Sequence, residues 1–228
     1  MCGRYSITTA PEALRRLFEY ANLPNLEPRW NVAPTQPAPV VRQTGAGREL
    51  SLLRWGLIPA WAKDASIGAR CINARADTVD AKPAFREAFR ARRCLIPADG
   101  FFEWRAESHA KQPYRIVVNG GEPFAFAGLW ERWQRAGETI ESFAIVTTEA
   151  NDALQALHHR MPVILAPEDH ARWLGGSPAE AKALLRPLPS HMVTFYAVDP
   201  FVNNARNEGP RCAAPASAPP APAQAQLL

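Results

Sequence analysis

Between residues 93 and 148 the chain breaks into five short β-type runs, RCLIP, GFFEW, PYRIVV, PFAFAGLW and SFAIVTT, parted by Gly, Pro or polar residues. No helix-length periodic segment separates them, so the regular strand–helix alternation of a doubly wound parallel sheet is missing. Such spacing predicts strands joined by turns. Further strands are expected at APVVR (38–42) and ELSLLRW (49–55), with TGAGR turning between them, and at MVTFYAV (192–198). Asn119–Gly120, between PYRIVV and PFAFAGLW, is the residue pair most typical of a tight turn. Helices are expected in three places. Thr9 and Glu12 suit a capping box ahead of Leu14, Leu17 and Phe18; residues 83–93 carry Phe85 and Phe89 on one side; SPAEAKALL (177–185) is capped by its serine. The expected fold is α+β: one domain built on a curved or barrel-like, largely antiparallel β-sheet with flanking helices.

A chain of 228 residues hides roughly 70% of its unfolded surface without staples. The longest uncharged apolar stretch, PFAFAGLW at 123–130, is far short of the about 20 residues a bilayer needs. Nothing hydrophobic follows the early arginine of MCGRYSITTAPEALRR, so no signal peptide and no membrane partner are expected, and the cytoplasm is the expected compartment. From Gly209 the composition changes. Residues 213–228 hold seven Ala and four Pro and no charge, too little to bury, so 209–228 is expected to be a disordered tail.

Twenty-two arginines stand against four lysines, with a net charge of +4. Guanidinium groups fork onto phosphate oxygens and stack on bases, which suits a nucleic-acid partner. Codon bias gives the same composition, since Ala and Pro are abundant too. Cys2, Cys71, Cys94 and Cys212 are widely spaced and His is scarce, so neither a metal site nor a disulfide framework is signalled. Cys71 and Cys94, in apolar contexts, read as buried thiols.

Cys2 becomes the N-terminus once the initiator Met is removed. One residue then carries an α-amine of pKa about 7.7–8.0 and a thiol of pKa about 8.5. An aldehyde meeting this 1,2-aminothiol can form an imine, and the thiol can close a five-membered thiazolidine ring. A cysteine without a role is the competing reading of position alone. Class II glutamine amidotransferases also begin Met-Cys-Gly and use the freed Cys as nucleophile. VNGGE (118–122) is faintly similar to their oxyanion loop, but the turn reading of Asn119–Gly120 competes with it.

A longer series of motifs occurs in one order: MCGRYS, RWNVAPTQ (29–36), LRWGLIPAWAKD (53–64), INARADT (72–78), CLIPADGFFEW (94–104), FAGLWE (126–131), AIVTTEAN (144–151) and HHRMPVIL (158–165). This series closely resembles the SRAP family, the SOS-response-associated peptidases, over residues 2–208. The resemblance implies an abasic-site processing domain over 1–208, with Met1 removed, that binds single-stranded DNA and crosslinks the ring-opened abasic sugar through a thiazolidine. It makes Cys2 the nucleophile, gives Asn73 the task of holding the Cys2 end or the sugar, and marks Glu103 and His158 as catalytic. Arg4, Arg75 and Arg160 match positions that contact phosphates. A monomer with no cofactor and no metal is expected, nucleoid-associated when bound to DNA, with lyase-like release and a thiol (auto)peptidase activity as further implied activities.

The chemistry asks for such groups independently. An abasic deoxyribose is mostly a closed hemiacetal, and His158 is a reasonable acid/base for opening it. Imine formation needs a proton shuttle, for which Glu103 is placed. On residue type alone His158 also reads as a capping or core histidine, and Glu103 as an edge-strand carboxylate. Base stacking favours Trp104, or one of Trp55 and Trp61, as a DNA contact, with Trp30 left to packing. Asp99 and Gly100 read as the turn into FFEW. Two competing functions stay open: an N-terminal-nucleophile amidohydrolase or thiol peptidase, and a non-covalent single-strand binding module.

Overall fold

The structure is a computed structural model that describes residues 2–107 and 111–216. β1 (Tyr5–Ile7) leads to α1 (Pro11–Phe18), then to β2 (Arg29–Val32), β3 (Pro37–Thr44) and β4 (Gly47–Trp55). β5 (Asn73–Arg75) and α2 (Arg86–Ala91) precede β6 (Arg93–Ala98), β7 (Gly100–Ala106), β8 (Lys111–Val118), β9 (Phe124–Arg135) and β10 (Glu138–Glu149). β11 (Arg160–Pro162), β12 (Ile164–Leu165), α3 (His170–Gly175), α4 (Pro178–Ala183) and β13 (Val193–Ala197) follow. All five β-type runs of the sequence are strands.

Two sheets share the core. Strands β10, β4, β3, β6 and β9 pair in that order, and β9 pairs back to β10, which closes a five-stranded barrel. The barrel is mixed only at β4–β10, where the strands run parallel. Strands β13, β8, β7, β1 and β2 form a second sheet, antiparallel throughout. The expected barrel-like, largely antiparallel α+β architecture is the one observed.

The uninterrupted run PFAFAGLW is explained by β9, whose first six residues are all buried. One edge of β9 pairs with β6 and the other with β10. Gly128 lies where a Cβ would meet Ile96 Cδ1 at 2.6 Å and Cys94 Sγ at 2.8 Å, so only glycine fits the crowded wall. Phe126 links barrel to sheet, its ring centroid 5.7 Å from Tyr5 and 5.8 Å from Phe101. Tyr5 in turn meets Trp55 edge-on at 5.2 Å. Each such fully buried aromatic contributes about 1.5–3 kcal/mol through burial. The start of β1 is thereby pinned to the middle of the molecule.

Three expectations need correction. α1 forms, burying Leu14 and Phe18, but its N-cap is Ala10 and no side chain caps it. Thr9 instead gives its amide and hydroxyl to Asp99 Oδ2, at 3.0 and 3.2 Å. A buried carboxylate must collect donors, and Asp99 also takes Ser6 Oγ at 2.7 Å and faces Arg115 at 3.3 Å. Asp99 is therefore an anchor of β1 rather than a plain turn residue. Asn119–Gly120 turns as expected, with φ of 45° and 74°, and because β8 and β9 belong to different sheets the turn carries the chain from one to the other. The α4 capping box is likewise present between Ser177 and Glu180.

The third correction concerns the tail. Pro210–Ala213 form a 3-10 turn, and Cys212 is fully buried with Phe102, Val198 and Val202. The amide of Ala216 donates to the carbonyl of Ala197 at 2.9 Å. Packing thus extends through residues 209–216, because Cys212 supplies an apolar anchor that an Ala/Pro average hides. Residues 217–228 of the expected tail lie outside the described residues. No helix among the described residues is long and apolar enough to cross a membrane.

Candidate functional site

Three strand pairings converge on the N-terminus. β1 runs antiparallel to β7, with Tyr5 opposite Phe101 and the Phe102 amide donating to the Arg4 carbonyl at 3.0 Å. Continuing that register sets Glu103 across from Gly3, next to Cys2. β10 outlasts its partner β9, and its last residues gain two new neighbours. β5 lies parallel on one side, pairing Asn73 with Ile145 and Arg75 with Thr147, while β11 pairs Arg160 with Glu149. The residues numbered 2, 73, 103 and 158–160 therefore meet although the sequence separates them widely.

Asn73 Nδ2 donates to the Cys2 carbonyl at 2.8 Å. Its Oδ1 is buried and takes no hydrogen bond among the described residues. Cys2 itself is buried, its Sγ 3.9 Å from the Arg4 carbonyl. Burial, reinforced by the Glu103 charge, pushes the Cys2 thiol well up, so it is held as neutral S–H. His158 Nδ1 lies 2.9 Å from the Arg160 amide and 3.1 Å from the Arg160 carbonyl, so the backbone of Arg160 orients the ring. Burial lowers the His158 pKa, and the nearby Glu103 charge partly opposes that. Cys2 and His158 thus both lie within the field of Glu103. The His159 ring stacks on His158 at 4.2 Å.

The three arginines differ. Arg75 is exposed and paired with Asp77 at 2.6 Å. Arg160 is only 6% exposed, and its Nη2 donates to the Thr147 carbonyl at 2.5 Å and to Thr147 Oγ1 at 3.1 Å. Arg4 is half-buried, donating to Asn31 Oδ1 at 2.8 Å, with its guanidinium carbon 5.7 Å from the centre of the Trp104 ring. Trp55 is fully buried, its Nε1 bonded to the Ile72 carbonyl, so it is a core residue and not a DNA contact. Trp61 is 59% exposed, and Trp104 stands half-exposed beside Arg4. Cys71 and Cys94 are buried free thiols, as expected.

The VNGGE turn does not join this constellation. Asn119 and Glu122 line a pocket with Phe124, His170 and Leu188, and none of Cys2, Asn73, Glu103 or His158 lines it. Sequence reasoning also passed over Asn31 and Thr147, which hold Arg4 and Arg160. Both sit inside quoted motifs, yet an uncharged amide or hydroxyl flanked by apolar residues gives no chemical signal by itself.

The SOS response associated peptidase (SRAP) family model matches residues 1–205. This chain belongs to the SRAP family. Among its relatives, the abasic site processing protein YoaM of Bacillus subtilis is 40% identical over 215 residues, spanning 91% of this chain and 95% of that one. The abasic site processing protein HMCES of Xenopus tropicalis is 30% identical over 261 residues, spanning 94% of this chain and 78% of that protein. A crystal structure of a Bacteroides thetaiotaomicron protein superposes with a TM-score of 0.86 at 30% identity, covering 95% of this chain and all of that one. The SRAP fold is thus a barrel with an added antiparallel sheet, and the constellation around Cys2 lies where its β1, β5, β7 and β11 meet.

Proposed function

We propose that this SRAP protein processes abasic sites by binding single-stranded DNA and capturing the ring-opened sugar covalently through Cys2. The observation that carries the reading is the convergence on one residue: Asn73 holds the Cys2 carbonyl at 2.8 Å while the Glu103 charge acts on both the Cys2 thiol and His158. The names of YoaM and HMCES support the same substrate.

The chemistry follows from the groups present. His158 moves the proton that opens the hemiacetal to the C1′ aldehyde. The freed α-amine of Cys2 adds to that carbon, giving a carbinolamine, and water leaves as the imine forms, with Glu103 carrying the protons. The thiol then adds to the imine carbon and its proton passes to nitrogen, closing the thiazolidine. Aldehyde and aminothiol thus combine with loss of one water. The VNGGE turn lines a pocket that none of Cys2, Asn73, Glu103 or His158 lines, which disfavours the amidohydrolase reading. Return through the imine supplies release and a lyase-like side reaction, and removal of the residue before Cys2 is the peptidase activity the chemistry requires. Arg75 supplies an exposed phosphate contact, and Arg4 with Trp104 beside it supplies another.

A denaturing gel of protein mixed with an abasic oligonucleotide tests the reading. A heat-stable shifted band is expected, lost in Cys2→Ala and lost equally when an uncleaved N-terminal tag acylates the amine. A tagged protein that crosslinks at full yield would sink the proposal.

A further inference from the structure

Asn31, on β2, is fully buried, and one amide is used completely. Its Oδ1 accepts from Arg4 Nη1 at 2.8 Å, and its Nδ2 donates to the carbonyls of Val202, Asn204 and Asn207 at 3.3, 3.0 and 2.8 Å. Arg4 Nη1 also donates to the Val202 carbonyl at 2.9 Å. The segment from Asp199 to Glu208 therefore lies as a strap against the start of the chain, although it adds no strand to either sheet. Further along the strap, Asn203 Oδ1 accepts from Trp104 Nε1 at 2.7 Å.

Arg4 is held differently from the arginines that carry a carboxylate partner. Arg29, Arg75, Arg115 and Arg211 each face a carboxylate, at 2.8, 2.6, 3.3 and 3.0 Å. Arg4 is fixed by neutral oxygens, and among the described residues it forms no ion pair. A cation oriented by neutral acceptors keeps its whole charge for an incoming anion. Ordering it beforehand also removes part of the entropic cost of binding.

We propose that Asn31 is a positioning residue for DNA: with the strap it holds the Arg4 guanidinium toward a phosphate, while Asn203 of the strap holds the Trp104 indole toward a base. This rests on the single-strand binding proposed above. Asn31→Asp tests it sharply, because the shape is kept while three donor contacts are lost and a counter-charge is placed beside Arg4. Asn203→Ala is the companion variant, since Asn203 is exposed and its loss leaves the core intact.

Binding to an undamaged single strand, which offers no aldehyde, is measured by fluorescence anisotropy across a salt series, with thermal unfolding of each variant alongside. Asn31→Asp is expected to lower the slope of log K against log salt by about 0.7 and to weaken binding about fivefold at 0.1 M salt, the share of one phosphate contact. Asn203→Ala is expected to weaken binding about threefold with the slope unchanged, because it loosens a stacking contact and not a charge. A folded Asn31→Asp with wild-type affinity and slope overturns the proposal. If Asn31→Asp fails to fold, Asn203→Ala decides: wild-type affinity overturns the proposal, and weakened binding at constant slope supports it. Wild-type protein that crosslinks an abasic strand yet binds undamaged strands without salt dependence overturns it as well. Wild-type protein that forms no crosslink overturns instead the capture reading on which it rests.

Discussion

The two walls around the start of the chain are built differently. The end of β10, with β5 and β11 on either side, places Asn73 and Arg160 by backbone ladders. The strap is placed by side chains: the Asn31 amide, the Trp104 indole, and Glu208, which accepts from Arg29 Nε and the Trp30 amide at 2.8 Å each. A ladder fixes a side chain's origin whatever its neighbours do, whereas a side-chain clamp is only as firm as its few bonds. The ladder wall suits groups that touch the reacting carbon. The clamp suits groups whose task is to meet a flexible strand.

The largest expected effect is kinetic and falls beside the ladder wall. His158→Ala should slow capture of the natural closed sugar by about 10²–10⁴-fold, the usual contribution of one acid/base group. An abasic analogue that cannot cyclise bypasses ring opening, so His158→Ala should capture it at close to the wild-type rate. Glu103→Gln should slow both substrates. Equal slowing of both substrates by both variants, measured by quenched-flow gel assay, would dissolve this division of labour.

Stability gives the second separation. Truncation after Arg211 removes the buried Cys212, the Ala214 carbonyl that accepts from the strap's Asp199 amide, and the Ala216 amide that donates to the Ala197 carbonyl of β13. The expected loss is about 2 kcal/mol, from one buried side chain and two hydrogen bonds. In a chain of this size that lowers Tm by about 4–8 °C. An unchanged melting curve would show that the strap does not lean on this segment.

A last effect of similar size concerns a residue outside both walls and so calibrates them. His170 stacks on Phe18 at 5.5 Å, and burial lowers its pKa to about 4. From the ordinary value of 6.5 down to about 4 the unfolded chain binds the proton and the folded chain does not. Stability is therefore full above pH 6.5 and falls as pH drops through that window, by about 2 kcal/mol after allowance for solvent screening. Denaturant midpoints across pH 4–7 should show this limb, and His170→Gln should flatten it. Both walls should fail together on that limb; a strap that melts first would show it to be a separate cooperative unit.

The strands were legible because β-type runs and their breaks are local properties. Closure of the barrel was not legible, since nothing in β9 or β10 says that each also pairs along its other edge. The cap of α1 was misread because Asp99, ninety residues from Thr9, captures the hydroxyl that would have capped the helix. Cys2, Asn73, Glu103 and His158 were legible as members of an ordered series of motifs, not from spacing, because only strand pairing brings them together. Arg160 was legible as an arginine but not as a buried one: its partner is the neutral Thr147, and charge patterning does not register neutral partners.

The clamp between Arg4 and Val202 spans 198 positions of the chain, which has a consequence for synthesis. A ribosome adding about 5–20 residues per second delivers the strap roughly 10–40 s after Cys2 has been made. Through that interval the nascent N-terminus waits without its last wall. On the reading proposed above, Arg4 is held toward a phosphate only once the strap has arrived, so a chain still emerging from the ribosome lacks that contact.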